Sequence, residues 1–138
     1  MVSLGRGAVF GASHDASYDF WVSGEPKWKM CLAFNVNPPA ANDDVHYFIA
    51  TSNVGFFREN PHLLSDVLIL PARAYPFFPE ETVLDFRDLC VVPLAKLQAK
   101  GLKLLGKLNE SDVTRCENTI RSARILGNRE KRRLALLS

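Results

Sequence analysis

The chain has 138 residues, 47% hydrophobic and 23% charged, with a formal net charge of +2. That size and mixture fit one globular domain with a real core and exclude a disordered or fibrous chain, while the net charge is too small to mark a nucleic-acid partner by itself. No run approaches the roughly 20 apolar residues that span a bilayer, and Met1 to Phe10 lacks the apolar core of a signal peptide, so the expectation is a cytoplasmic protein with no membrane partner.

In chain order, residues 7–12 (GAVFGA) read as a short first strand, and His14 to Lys27 as a long loop holding Tyr18, Phe20 and Trp21. WKMCLAFNV (28–36) alternates as a strand, with Lys29, Cys31, Ala33 and Asn35 on one face and Met30, Leu32, Phe34 and Val36 on the other. PPAANDD (38–44) is a turn, and HYFIATS (46–52) the strand that returns antiparallel to it. Gly55 to Ser65 reads as irregular or a single helical turn, DVLILPA (66–72) as a strand, and Arg73 to Glu81, with Pro76 and Pro79, as loop. TVLDF (82–86) and DLCVV (88–92) read as two short strands, PLAKLQ (93–98) as a helical connector and LKLLGKL (102–108) as a last strand or turn.

A helix closes this series. Asn109 suits its N-cap, Asp112 lies where the positive end of the helix dipole favours a carboxylate, and Gly127 reads as its stop. Val113, Cys116, Ile120, Ala123 and Leu126 share one face. Short strands with almost no helices between them predict a mainly β, α+β fold, a small β-barrel with a C-terminal helix, in a single domain over 1–138. From about residue 127 the tail is basic and then apolar, its leucines (134, 136 and 137) suiting a docking segment or a frayed end.

The chemistry-bearing residues are scattered. Cys31, Cys90 and Cys116 are widely spaced and suit reduced core thiols better than a disulfide framework. No CxxC, HxH or HExxH spacing points to a metal, and no cofactor motif is present. His14, in the aromatic loop, and His46, before the third strand, are candidate general bases. Trp21, Trp28, Tyr47, Phe56 and Phe57 are candidates for stacking single-stranded bases, with half the aromatics expected in the core. Arg115, Arg121, Arg124, Arg129, Lys131, Arg132 and Arg133 face only Glu117 and Glu130 in that stretch, a basic C-terminal face that suits solvent, phosphate or an acidic partner.

The order GRGAVF (5–10), KMCLAFN (29–35), FIATS (48–52), VLDFRDL (83–89) and GKLNESDV (106–113) resembles the PemK/MazF family of toxin ribonucleases, which share an SH3-like barrel with a C-terminal helix. The resemblance implies a metal-independent endoribonuclease acting on single-stranded RNA, a homodimer restrained by an acidic antitoxin protein. The family's phosphate contacts, an Arg opening the second strand and a Thr or Ser closing the third, fall on Lys29 and on Thr51 or Ser52. Lys29 and Met30 stand where the family has Arg-Pro, and lysine lacks the planar fork of arginine. Arg73 is then a candidate second cation, His14 or His46 the base, and Trp21, Lys27 and Trp28 the contacts to the RNA. The alternative is a catalytically degenerate barrel that binds nucleic acid or protein.

Overall fold

The computed structural model describes residues 4–15 and 25–137. Six strands, β1 (Ala8–His14), β2 (Lys27–Ala33), β3 (Asp44–Thr51), β4 (Val67–Leu70), β5 (Thr82–Pro93) and β6 (Lys103–Lys107), form one curled antiparallel sheet in the order β4-β5-β3-β2-β1-β6. Four helices accompany it: α1 (Val54–Glu59), α2 (Leu94–Ala99), α3 (Glu110–Ser122) and α4 (Asn128–Arg133), with a 3-10 helix over Pro61–Asp66. This is the expected α+β class, a small half-barrel with a C-terminal helix.

Both faces of the sheet are covered, so strand alternation sorts apolar residues into two cores rather than a core and a wet face. Leu32, Phe34, Phe48, Leu84 and Phe86 pack on one side against Cys116 and Ile120 of α3 and against Ala123, Leu126, Leu134 and Leu136 beyond it. On the other side Phe10, Cys31, Tyr47 and Val92 pack under Leu94 and Leu97 of α2. A third, smaller cluster joins Val54 and Phe57 of α1 to Leu63, Val67 and Val83.

The helix α3 begins as expected: Asn109 Oδ1 accepts from the Asp112 amide at 2.8 Å. Burial pushes the Cys116 thiol up to about 12, and Cys31 is equally enclosed, so both behave as small core side chains.

Several boundaries differ from the sequence reading. TVLDF and DLCVV are one strand, β5, because Thr82 to Pro93 pairs with β3 on both sides of a bulge. His14 ends β1 instead of opening the loop. Gly55 to Ser65 holds more helix than a single turn, α1 and most of the 3-10 helix. Gly127 is not the stop of α3, which ends at Ser122 with Ala123 extended; Gly127 caps the start of α4. The tail docks back on its own chain: Leu134 and Leu136 are buried, and Arg6 donates to Glu117 at 2.9 Å and to the Leu134 carbonyl.

Candidate functional site

The β3–β5 pairing carries a large irregularity. Tyr47 faces Cys90 and Ile49 faces Asp85, so two steps along β3 oppose five along β5. A bulge of this kind re-aims the side chains it carries. Here Phe86 stays in the core beneath α3, while Arg87 and Asp88 turn toward the opposite face. Pairing of β2 with β3 runs only from Met30–Ala50 to Ala33–Tyr47, so Lys29 and Thr51 lie just past its last rung.

A cleft of about 300 Å³ opens at this corner, outside the cover given by α2. Lys29 from β2, Thr51 from β3, Asp85, Arg87 and Asp88 from β5 supply its polar wall. Ile49 and Cys90 form its apolar floor, and Phe56 and Phe57 of α1 its rim. Phe57 is fixed in the third cluster, whereas Phe56 is 41% exposed, edge-on to Phe57 at 5.2 Å.

Arg87 is held from two directions. Its Nε and Nη2 donate to Asp85 Oδ1 at 2.9 Å and Oδ2 at 2.8 Å, and its guanidinium lies 5.0 Å from the Phe57 ring centre and 5.7 Å from that of Phe56. The hydrogen bond to Asp85 raises the guanidinium above its ordinary value, so it is a permanent cation. A planar fork fixed by a carboxylate and an aromatic face is a preorganised anion contact.

A shallower groove continues from the cleft around the edge of β2. Lys29, Ile49 and Thr51 belong to both, and Lys27, Trp28 and Ser52 extend it. Trp28 is 52% exposed. Its ring lies against β1 at Gly11, where a Cβ would sit 2.1 Å from the indole, so only glycine leaves the space.

Of the sequence-derived candidates, Lys29, Thr51 and Ser52 therefore converge with Lys27 and Trp28, and Phe56 and Phe57 rim the same cleft, whereas Arg73, His14, His46 and the buried Tyr47 do not line it. Trp21 lies outside the described residues. Arg73 lies in a separate exposed depression with Pro71 and Glu81, at a left-handed φ of 64°. His14 is fully buried on β1: Nδ1 donates to the Ala12 carbonyl at 2.9 Å, and Nε2 lies 2.8 Å from the Tyr47 hydroxyl. His46 lies toward the far end of β3, beside Asn35, Asp44 and Arg133. Its pKa is lowered, chiefly by burial and then by Arg133, against an opposing pull from Asp44. Neither histidine lines the cleft.

Arg87 is the residue that sequence reasoning missed in favour of Arg73. Reading TVLDF and DLCVV as two strands left Arg87 at a junction, with no reason to aim it anywhere. The Asp-x-Arg spacing of Asp85 and Arg87 within a β-rich run was the available signal, since residues two apart on a strand share a face. Among the described residues, no cluster of three or more His, Cys, Asp or Glu side chains has the geometry to hold a metal.

No family model and no curated protein matches the sequence. The cleft is interpreted from its own residues. No helix among the described residues is long and apolar enough to cross a membrane.

Proposed function

We propose that the cleft binds the backbone of single-stranded RNA and cleaves it without a metal. The observation that carries this reading is the convergence of Lys29 and Thr51 with Arg87 in one cleft. The resemblance to the PemK/MazF toxins puts a cation and a hydroxyl at the first two positions, and Arg87, oriented by Asp85, adds a second cation beside them. Three donors of this kind, aimed at one phosphate, stabilise the charge that develops on the phosphoryl oxygens as the ribose 2′-oxygen attacks phosphorus and the 5′-oxygen leaves. The proton of the 2′-hydroxyl goes to the Asp88 carboxylate in place of His14 or His46, and the departing 5′-oxygen takes a proton from water. Trp28 and Phe56, half exposed on either side, supply faces on which the flanking bases stack. An acidic antitoxin, a homodimer and a cytoplasmic site of action belong to the same reading.

The test is incubation of the purified protein with a long single-stranded RNA in EDTA, with mapping of the cut ends. Discrete cuts leaving a 2′,3′-cyclic phosphate are expected, and Lys29→Ala and Arg87→Ala should each slow them by about 10²–10³-fold. Cutting that persists unchanged in both variants would remove the cleft from the reaction.

A second reading is favoured by the charge balance. Asp85 and Asp88 offset Lys29 and Arg87, and Ile49, Phe56, Phe57 and Cys90 make much of the wall apolar. Such a cleft also fits a partner's side chain, which is how a catalytically degenerate relative would use it. RNA left intact by the wild-type protein would favour that reading.

A further inference from the structure

Around the C-terminal end of α3 and α4 the structure gathers a set of arginines that do not line the cleft. Arg121 ends α3, Arg124 lies in the connection, and Arg129 and Arg132 lie on α4; all four are exposed. Buried Lys131 draws these pieces together, its Nζ donating to the Arg121 carbonyl at 3.1 Å and the Ala123 carbonyl at 2.6 Å. Buried Asp66 accepts from the Arg124 amide at 2.5 Å and fixes the connection. The corner is thus held by its backbone and its buried residues, not by its surface charges.

Those charges are uncompensated. None of the four arginines takes part in an ion pair among the described residues. Glu117 is bound by Arg6, and the carboxylates that remain at the corner, Glu130 of α4 and buried Asp66, are fewer than its cations. Four like charges fixed on one corner repel one another and raise the local potential, an arrangement that a bound polyanion relieves.

We propose that this arginine corner is a second, sequence-independent phosphate-binding surface for single-stranded RNA, engaged only by a strand long enough to reach beyond the cleft. The choice of RNA rests on the reading of the cleft given above. The chemistry of the corner favours it over an acidic peptide. Arginine forks match phosphate oxygens two at a time, and along residues 121–133 the one large exposed apolar side chain is Ile125, a small contribution beside the four charges. The corner flanks the cleft without sharing its wall: Asp66, which holds the Arg124 amide, precedes Val67, whose partner on β5 is the cleft's Asp85, and Arg133 of α4 borders His46, five steps along β3 from Thr51, a span of roughly 17 Å.

The experiment compares the wild-type chain with an Arg121→Gln, Arg124→Gln, Arg129→Gln, Arg132→Gln variant. The probes are 2′-O-methyl oligouridylates of about three and about 20 nucleotides, which cannot be cut, titrated over a salt series. Each lost contact should remove about 0.7 from the slope of log K against log salt, so the long probe should lose 2–3 in slope, with the short probe unchanged. A slope unchanged for the long probe, or no binding of it by the wild-type chain, overturns the proposal. Capture of polyglutamate in preference to the long probe overturns it in favour of an acidic partner. Should the fourfold variant fail to fold, Arg129→Gln and Arg132→Gln taken singly should each remove about 0.7.

The two readings fail separately. Loss of slope in a protein that leaves unmodified RNA intact keeps the corner and rejects the nuclease. Cleavage with an unchanged slope keeps the nuclease and rejects the corner.

Discussion

The two faces of the sheet are finished differently. On the face under α3, Phe34, Phe48 and Phe86 meet edge-on and are sealed by a helix, a connection and a docked tail. On the other face, α2 covers only one end, and beyond Tyr47 the strands β2, β3 and β5 run out into a cleft. On the sealed face Glu117, Asn109 and Lys131 are engaged in structural bonds; the open one carries Lys29, Thr51 and Arg87 on the wall of a cleft. Stability and chemistry are thus divided between the faces, and the division is testable.

Its sharpest break is a pair of truncations. Phe48→Ala, at a side chain fully buried between Phe34 and Phe86, should destabilise the fold by about 3–5 kcal/mol through lost burial and a residual cavity. Lys29→Ala, at a partly exposed strand end, should change stability by less than about 0.5 kcal/mol while removing the proposed cleavage. Denaturant titration of both variants decides it. A large loss of stability in Lys29→Ala would mean that the cleft is a structural seam.

A smaller effect tests how the sealed face is fastened. Asn109 accepts from the Asp112 amide and closes the first turn of α3. Asn109→Ala should therefore lower stability by about 1 kcal/mol, read in the same titration, and leave RNA binding by the cleft unaltered. Coupled loss of binding would show that α3 and the cleft communicate across the sheet.

The sequence revealed these two faces to unequal degrees. Asn109 as a cap, the part of the expected face from Val113 through Cys116 to Ile120, and the β2–β3 pair are local patterns, set by a period of 3.6 or 2 and by cap chemistry, and each was legible, whereas Ala123 and Leu126 fall beyond the helix. Lys29 and Thr51 came together because antiparallel pairing brings the start of one strand beside the end of the next. Arg87 was not legible, because the bulge that aims it is a property of the pairing with β3 and not of TVLDFRDL itself. His14 was misread for a related reason. A polar residue beside a long loop looks solvated, and only the Tyr47 hydroxyl, 33 positions away, makes its burial tolerable. Gly127 shows the same limit at a helix end, since a glycine that stops one helix and one that starts the next leave similar local signals.

The smallest effect concerns His46, at the seam between the sealed face and the docked α4. Burial disfavours its imidazolium in the folded chain, Arg133 adds repulsion, and Asp44 opposes both without reversing them. The folded state therefore resists a proton that the unfolded chain accepts near pH 6.5. Stability from this group is intact above about pH 6.5 and declines as the pH falls from there through the lowered folded value. Part of the ring is open to solvent, which screens the charge, so the decline is shallow. Thermal melts of the wild type and His46→Gln between about pH 5 and 8 should show a difference confined to the acid side, with the variant the flatter of the two. A wild-type curve that is instead relatively stabilised by acid would mean that Asp44, and not burial with Arg133, governs His46.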